Sequence, residues 1–220
     1  MPRCLVFDFD GVLADSEPLH FEVLRDLLRD SGLDLTRAAY YERYLGFDDE
    51  GVFQHIAADH GLILGDEEID LLLHEKMARF ERLVGGRNVL YPGAAACVER
   101  VGRAFPLGIA SGAMRRDIDL MLRAAGLQDR FRFIVSAEDT ERSKPDPDPY
   151  ARAAQLHGVE PGACVAIEDS RQGLQSARAA GLRTIAVTHT YPAGDLREAD
   201  VVISSLDELT IELITSGLKT

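Results

Sequence analysis

The sequence predicts an α/β protein: a Rossmann-like parallel sheet core flanked by helices, with an inserted all-helical domain. Three observations predict it. The first is a short apolar run, Leu5-Val6-Phe7-Asp8-Phe9, closed by Asp10 and Gly11. The second is a block, 17–86, whose apolar residues recur at three- and four-residue steps without a convincing strand. The third begins after Tyr91-Pro92-Gly93, where strand-length apolar runs alternate with helical patterns, as βαβ units of a parallel sheet require. The expected organisation is a discontinuous core, 1–14 and 87–220, interrupted by a helical insert at 15–86.

Residues 5–9 are rich in β-formers and read as a buried strand. Side chains two apart in an extended chain share a side. Asp8 and Asp10 can therefore face one pocket beyond the strand's carboxyl end, where open α/β sheets gather ligands. The plain alternative is a hairpin, since Asp-Gly between apolar runs is a hairpin signal. The next segment, Asp15-Ser16-Glu17-Pro18, reads instead as a helix start.

In the insert, Phe21, Leu24, Leu27 and Leu28 mark one helix face, and Gly32 ends it. Tyr40, Tyr41, Tyr44 and Leu45 suggest a short helix, and 49–60 and 67–84 two longer ones. Gly85-Gly86 is the exit, and 11–17 the entry; two such adjacent crossings make a hinge. In the core, helices are expected at 94–104, 114–125, 149–157, 172–180 and 206–216. Strands are expected at 107–110, 131–135, 164–167, 184–187 and 201–203.

Composition narrows the partners. A net charge of −13 argues against nucleic acid and against an anionic membrane surface, both of which call for basic patches. It leaves room for a small anionic substrate beside a metal ion or a local lysine. Cys4, Cys97 and Cys164 show no CxxC spacing and read as buried free thiols in a reducing compartment. No signal peptide is read ahead of the first strand, and no apolar run is long enough to cross a membrane. A cytoplasmic protein is expected.

Ser111-Gly112, Lys144-Pro145 and Glu168-Asp169 fall just after expected strands or in the loops that succeed them. In a parallel sheet those loops share the edge from which Asp8 and Asp10 emerge. Two like charges about 4 Å apart repel by about 4 kcal/mol at an effective dielectric near 20. Four carboxylates on one edge therefore call for a cation or for protonation. A hard divalent ion suits an all-oxygen site, with Mg²⁺ preferring a few carboxylates, water and a substrate phosphate. Asp169 is favoured as a direct ligand, with Glu168 ligating or holding a metal-bound water. Each residue also has a plainer reading. Glu168-Asp169-Ser170 can simply cap the next helix. Ser111 can cap a turn, or with Gly112 cradle an anion. Lys144 can be a solvated loop lysine, and His20 a helix-surface group. No HExxH, GxGxxG, P-loop or GxSxG pattern occurs, which removes support for zinc, dinucleotide, P-loop and serine-triad chemistry.

Taken together, Asp8-Phe9-Asp10-Gly11-Val12, Ser111, Lys144-Pro145 and Glu168-Asp169-Ser170 with Gly173 resemble the haloacid dehalogenase superfamily. The resemblance spans essentially the whole chain and is to its phosphatase branch with a helical cap, among β-phosphoglucomutase-like and phosphoglycolate-phosphatase-like members. It implies a Mg²⁺-dependent phosphomonoester hydrolase acting on a small phosphorylated metabolite through an aspartyl-phosphate. It makes Asp8 the nucleophile and Asp10 the general acid and base. Ser111, Gly112 and Lys144 would hold the phosphate, and Asp8, Asp10 (by its carbonyl), Glu168 and Asp169 the metal. On the cap side, Tyr44-Leu45-Gly46-Phe47-Asp48-Asp49-Glu50 resembles the family's specificity loop and points to Gly46 and Asp49, while His20, by its place near the hinge, is a candidate to face the pocket.

An acid at position 10 separates the chain from the dehalogenases, which expel halide and need no proton. A phosphonate hydrolase would need a cap lysine for a Schiff base, and Lys76 falls mid-helix. Mutases of this resemblance carry a basic residue near Asp49 that grips a second phosphate; here that position is acidic. A plain phosphatase is therefore the first reading and a sugar-phosphate mutase the alternative. A phospho-acceptor signalling domain is the non-enzymatic rival, but there the acidic pair precedes the acceptor and no cap is present. Asp48 and Asp49 read as substrate contacts or, more plainly, as a solvated helix N-terminus. A monomer is expected.

Overall fold

The computed structural model describes residues 1–44, 47, 49–85 and 87–218. Leu45, Gly46, Asp48 and Gly86, which carry sequence expectations, lie outside the described residues. The chain divides into two compact units, 1–16 with 88–220, and 17–87.

The first unit is built on six parallel strands: β1 (Cys4–Phe7), β2 (Leu107–Ala110), β3 (Ile134–Val135), β4 (Cys164–Glu168), β5 (Arg183–Val187) and β6 (Val201–Ile203). Their spatial order is β3-β2-β1-β4-β5-β6. The chain thus winds outward from β1 on one side, then returns to begin again at β4 on the other. The β1–β4 boundary is the point of reversal, where a doubly wound sheet leaves a crevice at its carboxyl edge. Register fixes what reaches that edge: Phe7 lies opposite Ile167 on β4 and opposite Ile109 on β2. Asp8, Ser111 and Asp169 each come immediately after those strand ends.

β1 and β4 are buried along their whole lengths, so they read as continuous apolar runs rather than alternating ones. One face packs Cys4, Val6, Cys164 and Ala166 against Tyr150, Ala153 and Ala154 of α7 (Asp148–His157) and Ala177 of α8 (Arg171–Ala179). The remaining long helices of this unit are α5 (Ala94–Gly102) and α6 (Arg115–Ala124).

No hairpin forms after β1. Leu13 and Ala14 N–H both donate to Phe9 O, at 2.8 and 2.9 Å, and Gly11 N–H donates to Ala14 O. That closes a tight loop with Gly11 at φ +79°, a conformation costly for any side chain with a Cβ. Two other expectations change. The strand expected at 131–135 keeps regular form only at Ile134–Val135, although Arg132 N–H still donates to Leu107 O. The helix expected at 206–216 is broken. Arg100 on α5 donates to the carbonyls of Leu206 and Leu209, at 2.7 and 3.4 Å, and Thr210 Oγ1 caps Leu213 N–H. A short turn at Leu206–Glu208 and a wider helical turn at Leu213–Gly217 result.

The second unit is helical in its described residues: α1 (Glu17–Asp30), α2 (Arg37–Ala39) running into a wide turn at Tyr40–Tyr44, α3 (Asp49–Asp59) and α4 (Asp66–Val84). Leu24, Leu27 and Leu28 of α1 join Tyr40, Tyr44, Val52, Phe53 and Ile56 in one core. The four-residue Leu24–Leu28 step supplies the α1 stripe. Among the described residues no helix is long and apolar enough to cross a membrane.

Phe53 is buried at 1% exposure in the middle of that core. Phe53→Ala is expected to cost about 3–5 kcal/mol. Hydrogen exchange should show the loss of protection concentrated in 17–87; uniform loss across both units would contradict independent cores.

Candidate active site

Three carboxylates converge at the carboxyl edge where β1 meets β4. Among the described residues, Asp8, Glu168 and Asp169 offer oxygens all within 4.8 Å of one another, and all three are buried. Lys144 reaches in from the loop before α7. Its Nζ lies 2.7 Å from Asp8 Oδ1 and 2.6 Å from Glu168 Oε1, with 12% of its side chain exposed. It also sits over the Tyr150 ring, 5.0 Å from the centroid. The solvated-lysine reading of Lys144 is thus overturned by position.

Glu168 is fully engaged. Oε1 accepts from Lys144 and from Tyr150 OH (2.8 Å); Oε2 accepts from Asp169 N–H, Ser170 N–H and Ser170 Oγ. Ser170 Oγ in turn accepts from Gly173 N–H, so Ser170 caps α8 while bracing Glu168. Capping and the acidic cluster are both present at Glu168-Asp169-Ser170. Two glycines make the packing possible. A Cβ at Gly173 would fall 1.8 Å from Glu168 Oε1, and one at Gly11 would fall 2.1 Å from Asp169 Oδ2.

Asp10 stands on the loop after β1, partly buried, where Ser16 Oγ donates to its Oδ1. The loop is held from outside as well: His189 Nδ1 bonds Gly11 O at 3.0 Å, and its ring stacks on Tyr91. Ser111 is buried at the end of β2, with Oγ accepting from Ala113 N–H at 3.0 Å, a turn-capping contact. Gly112 beside it is exposed.

Burial dominates the electrostatics. It pushes the Asp8 carboxyl well above its ordinary range; Lys144 opposes this, while Glu168 and Asp169 add to it. Burial, then the charge of Glu168, pushes Asp169 up to about 7. Burial works against the Lys144 ammonium, but Asp8 and Glu168 outweigh it and hold the proton on. Fully ionised, the three carboxylates would carry two negative charges beyond the one ammonium, and Asp8 and Asp169 answer by holding protons more tightly. The donor set is hard oxygen throughout, which fits a divalent cation of that preference.

A family profile described as haloacid dehalogenase-like hydrolase matches residues 5–187. The chain belongs to the haloacid dehalogenase-like hydrolases. The chain is 34% identical over 202 residues to Protein CbbY of Rhodobacter capsulatus, covering 88% of both chains. It is 33% identical over 211 residues to Hexitol phosphatase B of Escherichia coli K12, covering 93% of both. A crystal structure of a mutant CbbY from Rhodobacter sphaeroides, in complex with xylulose-(1,5)bisphosphate, superposes with a TM-score of 0.86 at 26% identity over the full length of each chain.

His20 and Asp49, expected near the substrate, belong to the helical unit. Lys76, mid-α4, is 1% exposed, and its Nζ donates to both carboxylate oxygens of Asp49 and, at 2.9 Å, to His20 Nδ1. His20 stacks on Phe80 with centroids 4.4 Å apart. Burial, then Lys76, lowers the pKa of His20 well below the usual imidazole range. Asp49 is therefore not a simply solvated helix start, and His20 is not a free surface group. Sequence reasoning passed over Lys76's burial. The signal was there: Ile69, Lys76, Phe80 and Val84 form the buried stripe of α4, so a lysine occupies a core position. Tyr150 and Ser16 were also missed as partners of the acids.

Lys144→Met removes the ammonium and leaves the acids buried. An acid whose folded pKa is raised favours the fold most below its unfolded value near 3.8 and loses that stability as pH rises. Without divalent cation, the variant should lose about 3–5 kcal/mol at pH 8 and clearly less at pH 5, where protons replace the lysine. Equal losses in denaturant unfolding at both pH values would contradict the charge role.

Proposed function

We propose that the chain is a Mg²⁺-dependent phosphatase that hydrolyses a small phosphorylated metabolite through an aspartyl-phosphate on Asp8. The observation that carries this reading is the Lys144 bridge between Asp8 and Glu168 inside a buried acidic cluster, in a chain of this hydrolase family. Lys144 steers one Asp8 oxygen and leaves the other available for in-line attack. An oxygen of Asp8 forms a bond to phosphorus as the ester P–O bond breaks. Asp10, oriented by Ser16, gives its proton to the leaving alkoxide. It then takes a proton from the water that attacks the phospho-enzyme, and Asp8 departs as carboxylate. Ser111 Oγ, backbone N–H groups around Gly112, and Lys144 donate to the phosphate oxygens.

Asp8 and Asp169, with the Asp10 carbonyl, would hold Mg²⁺ directly, and Glu168, its oxygens taken by protein donors, would brace them. The bound ion supplies positive charge that offsets repulsion between the phosphate and the attacking carboxylate. We read the helical unit as the part of the chain that selects the substrate, with His20, Gly46 and Asp49 as its substrate-binding residues. Because Asp49 neutralises Lys76, that pair presents little net positive charge to a second phosphate. This favours phosphatase over mutase. The named relatives, one a hexitol phosphatase and one bound to a sugar bisphosphate, make phosphorylated sugars and sugar alcohols the first class to screen. We infer a monomeric enzyme working in a reducing cytoplasm.

Phosphate release from a panel of sugar and polyol phosphates tests the reading. Release should need Mg²⁺, stop with EDTA, and fall at least about 10³-fold in Asp8→Asn. An Asp8→Asn variant with normal turnover would refute the mechanism. Transfer of phosphate back to the sugar without release would favour the mutase.

A further inference from the structure

Cys4 and Cys164 face each other in the register of β1 and β4, and both are buried. Their Sγ atoms lie 2.9 Å apart, and either thiol can donate to the other. Adjacent strands run about 4.8 Å apart, within the roughly 4.4–6.8 Å between Cα atoms that a disulfide spans. Paired register and a 2.9 Å approach of the sulfurs place the two within reach of a disulfide. The third cysteine, Cys97, sits elsewhere, on α5. Neither thiol takes part in the chemistry above. Both lie on the same strand faces as Asp8 and Glu168, four residues down.

We propose that Cys4 and Cys164 are a reversible two-electron redox site, oxidised to a disulfide by a small hydroperoxide such as hydrogen peroxide. The Cys164 sulfur, as thiolate, attacks one peroxide oxygen. The O–O bond breaks, a sulfenic acid forms, and hydroxide leaves to become water by taking up the thiol's proton. The Cys4 sulfur then attacks the sulfenic sulfur. The S–S bond forms, the S–O bond breaks, and the departing oxygen takes the Cys4 proton to leave as a second water. Two thiols lose two electrons and two protons; one peroxide becomes two waters. A dithiol reverses the reaction by exchange. With Cys4 as the donor, the hydrogen bond holds the Cys164 thiol below its ordinary pKa, the Arg183 charge helping and burial opposing, and in that arrangement Cys164 reacts first. A small oxidant suits a pair this buried. Oxidation would staple together the two strands that end on Asp8 and on Glu168. Such pairs in reducing compartments are usually redox-sensing rather than structural.

The test uses the full chain, fully reduced, treated with hydrogen peroxide under native conditions and alkylated in denaturant. The expected product is monomeric, carries one alkyl group where the untreated chain carries three, and is otherwise lighter by two hydrogens. Peptide mapping should find one cross-link, Cys4 to Cys164, with Cys97 alkylated, and dithiothreitol should restore all three thiols. In Cys164→Ser the mass loss should vanish. The proposal is overturned if wild-type Cys4 and Cys164 both remain alkylable after peroxide, if the cross-link involves Cys97 or a second chain, or if Cys164→Ser still loses two hydrogens. If that variant does not fold, the wild-type map decides alone.

Discussion

One buried ammonium shared by two carboxylates governs the carboxyl edge of the sheet where β1 meets β4. Lys144 lies within 2.7 Å of both Asp8 and Glu168, where low polarisability makes every uncompensated charge expensive. Its own proton is secured by the acids it serves. Yet one lysine does not balance three carboxylates, and Asp169 answers by holding its proton up to about 7. The pocket is therefore short of positive charge, which is the state expected of a site that takes up a divalent cation and an anionic ester together.

The scaffold explains how so many acids share one edge. β1 and β4 are neighbours in space but far apart in sequence, so Asp8 and the Glu168-Asp169 pair arrive at adjacent strand ends at the sheet's point of reversal. Close approach then depends on absent side chains. Gly11 and Gly173 leave space that Asp169 and Glu168 occupy. Ser170 and Tyr150 fill the remaining lone pairs of Glu168, so this carboxylate serves as a fixed strut. On the proposed mechanism, residues that brace and residues that react are thereby separated within one small cluster.

Much of this was legible in the sequence, for identifiable reasons. The β1 run, the alternation of strands and helices after residue 91 and the helical periodicity of 17–86 all reflect burial patterns that a linear reading can register. So did the meeting of Asp8, Lys144, Glu168 and Asp169 at one edge, because a parallel sheet sends all its strand ends the same way. What escaped was set by tertiary partners. The C-terminal helix breaks because Arg100, over a hundred residues earlier, claims its carbonyls. The burial of Lys76 went unread because its partners, Asp49 and His20, sit on other helices. Asp49 was misjudged for the same reason, since a helix start appears solvated unless the facing lysine is known.

The central claim is that Asp8 transiently carries the phosphoryl group. Borohydride reduction of the enzyme during turnover, with peptide mapping of the product, tests it directly, because an acyl phosphate is reduced to an alcohol while a free carboxylate survives. Homoserine should appear at position 8, and only when substrate is present. Reduction at Asp10 or Asp169 instead, or no reduced residue during sustained turnover, would contradict it.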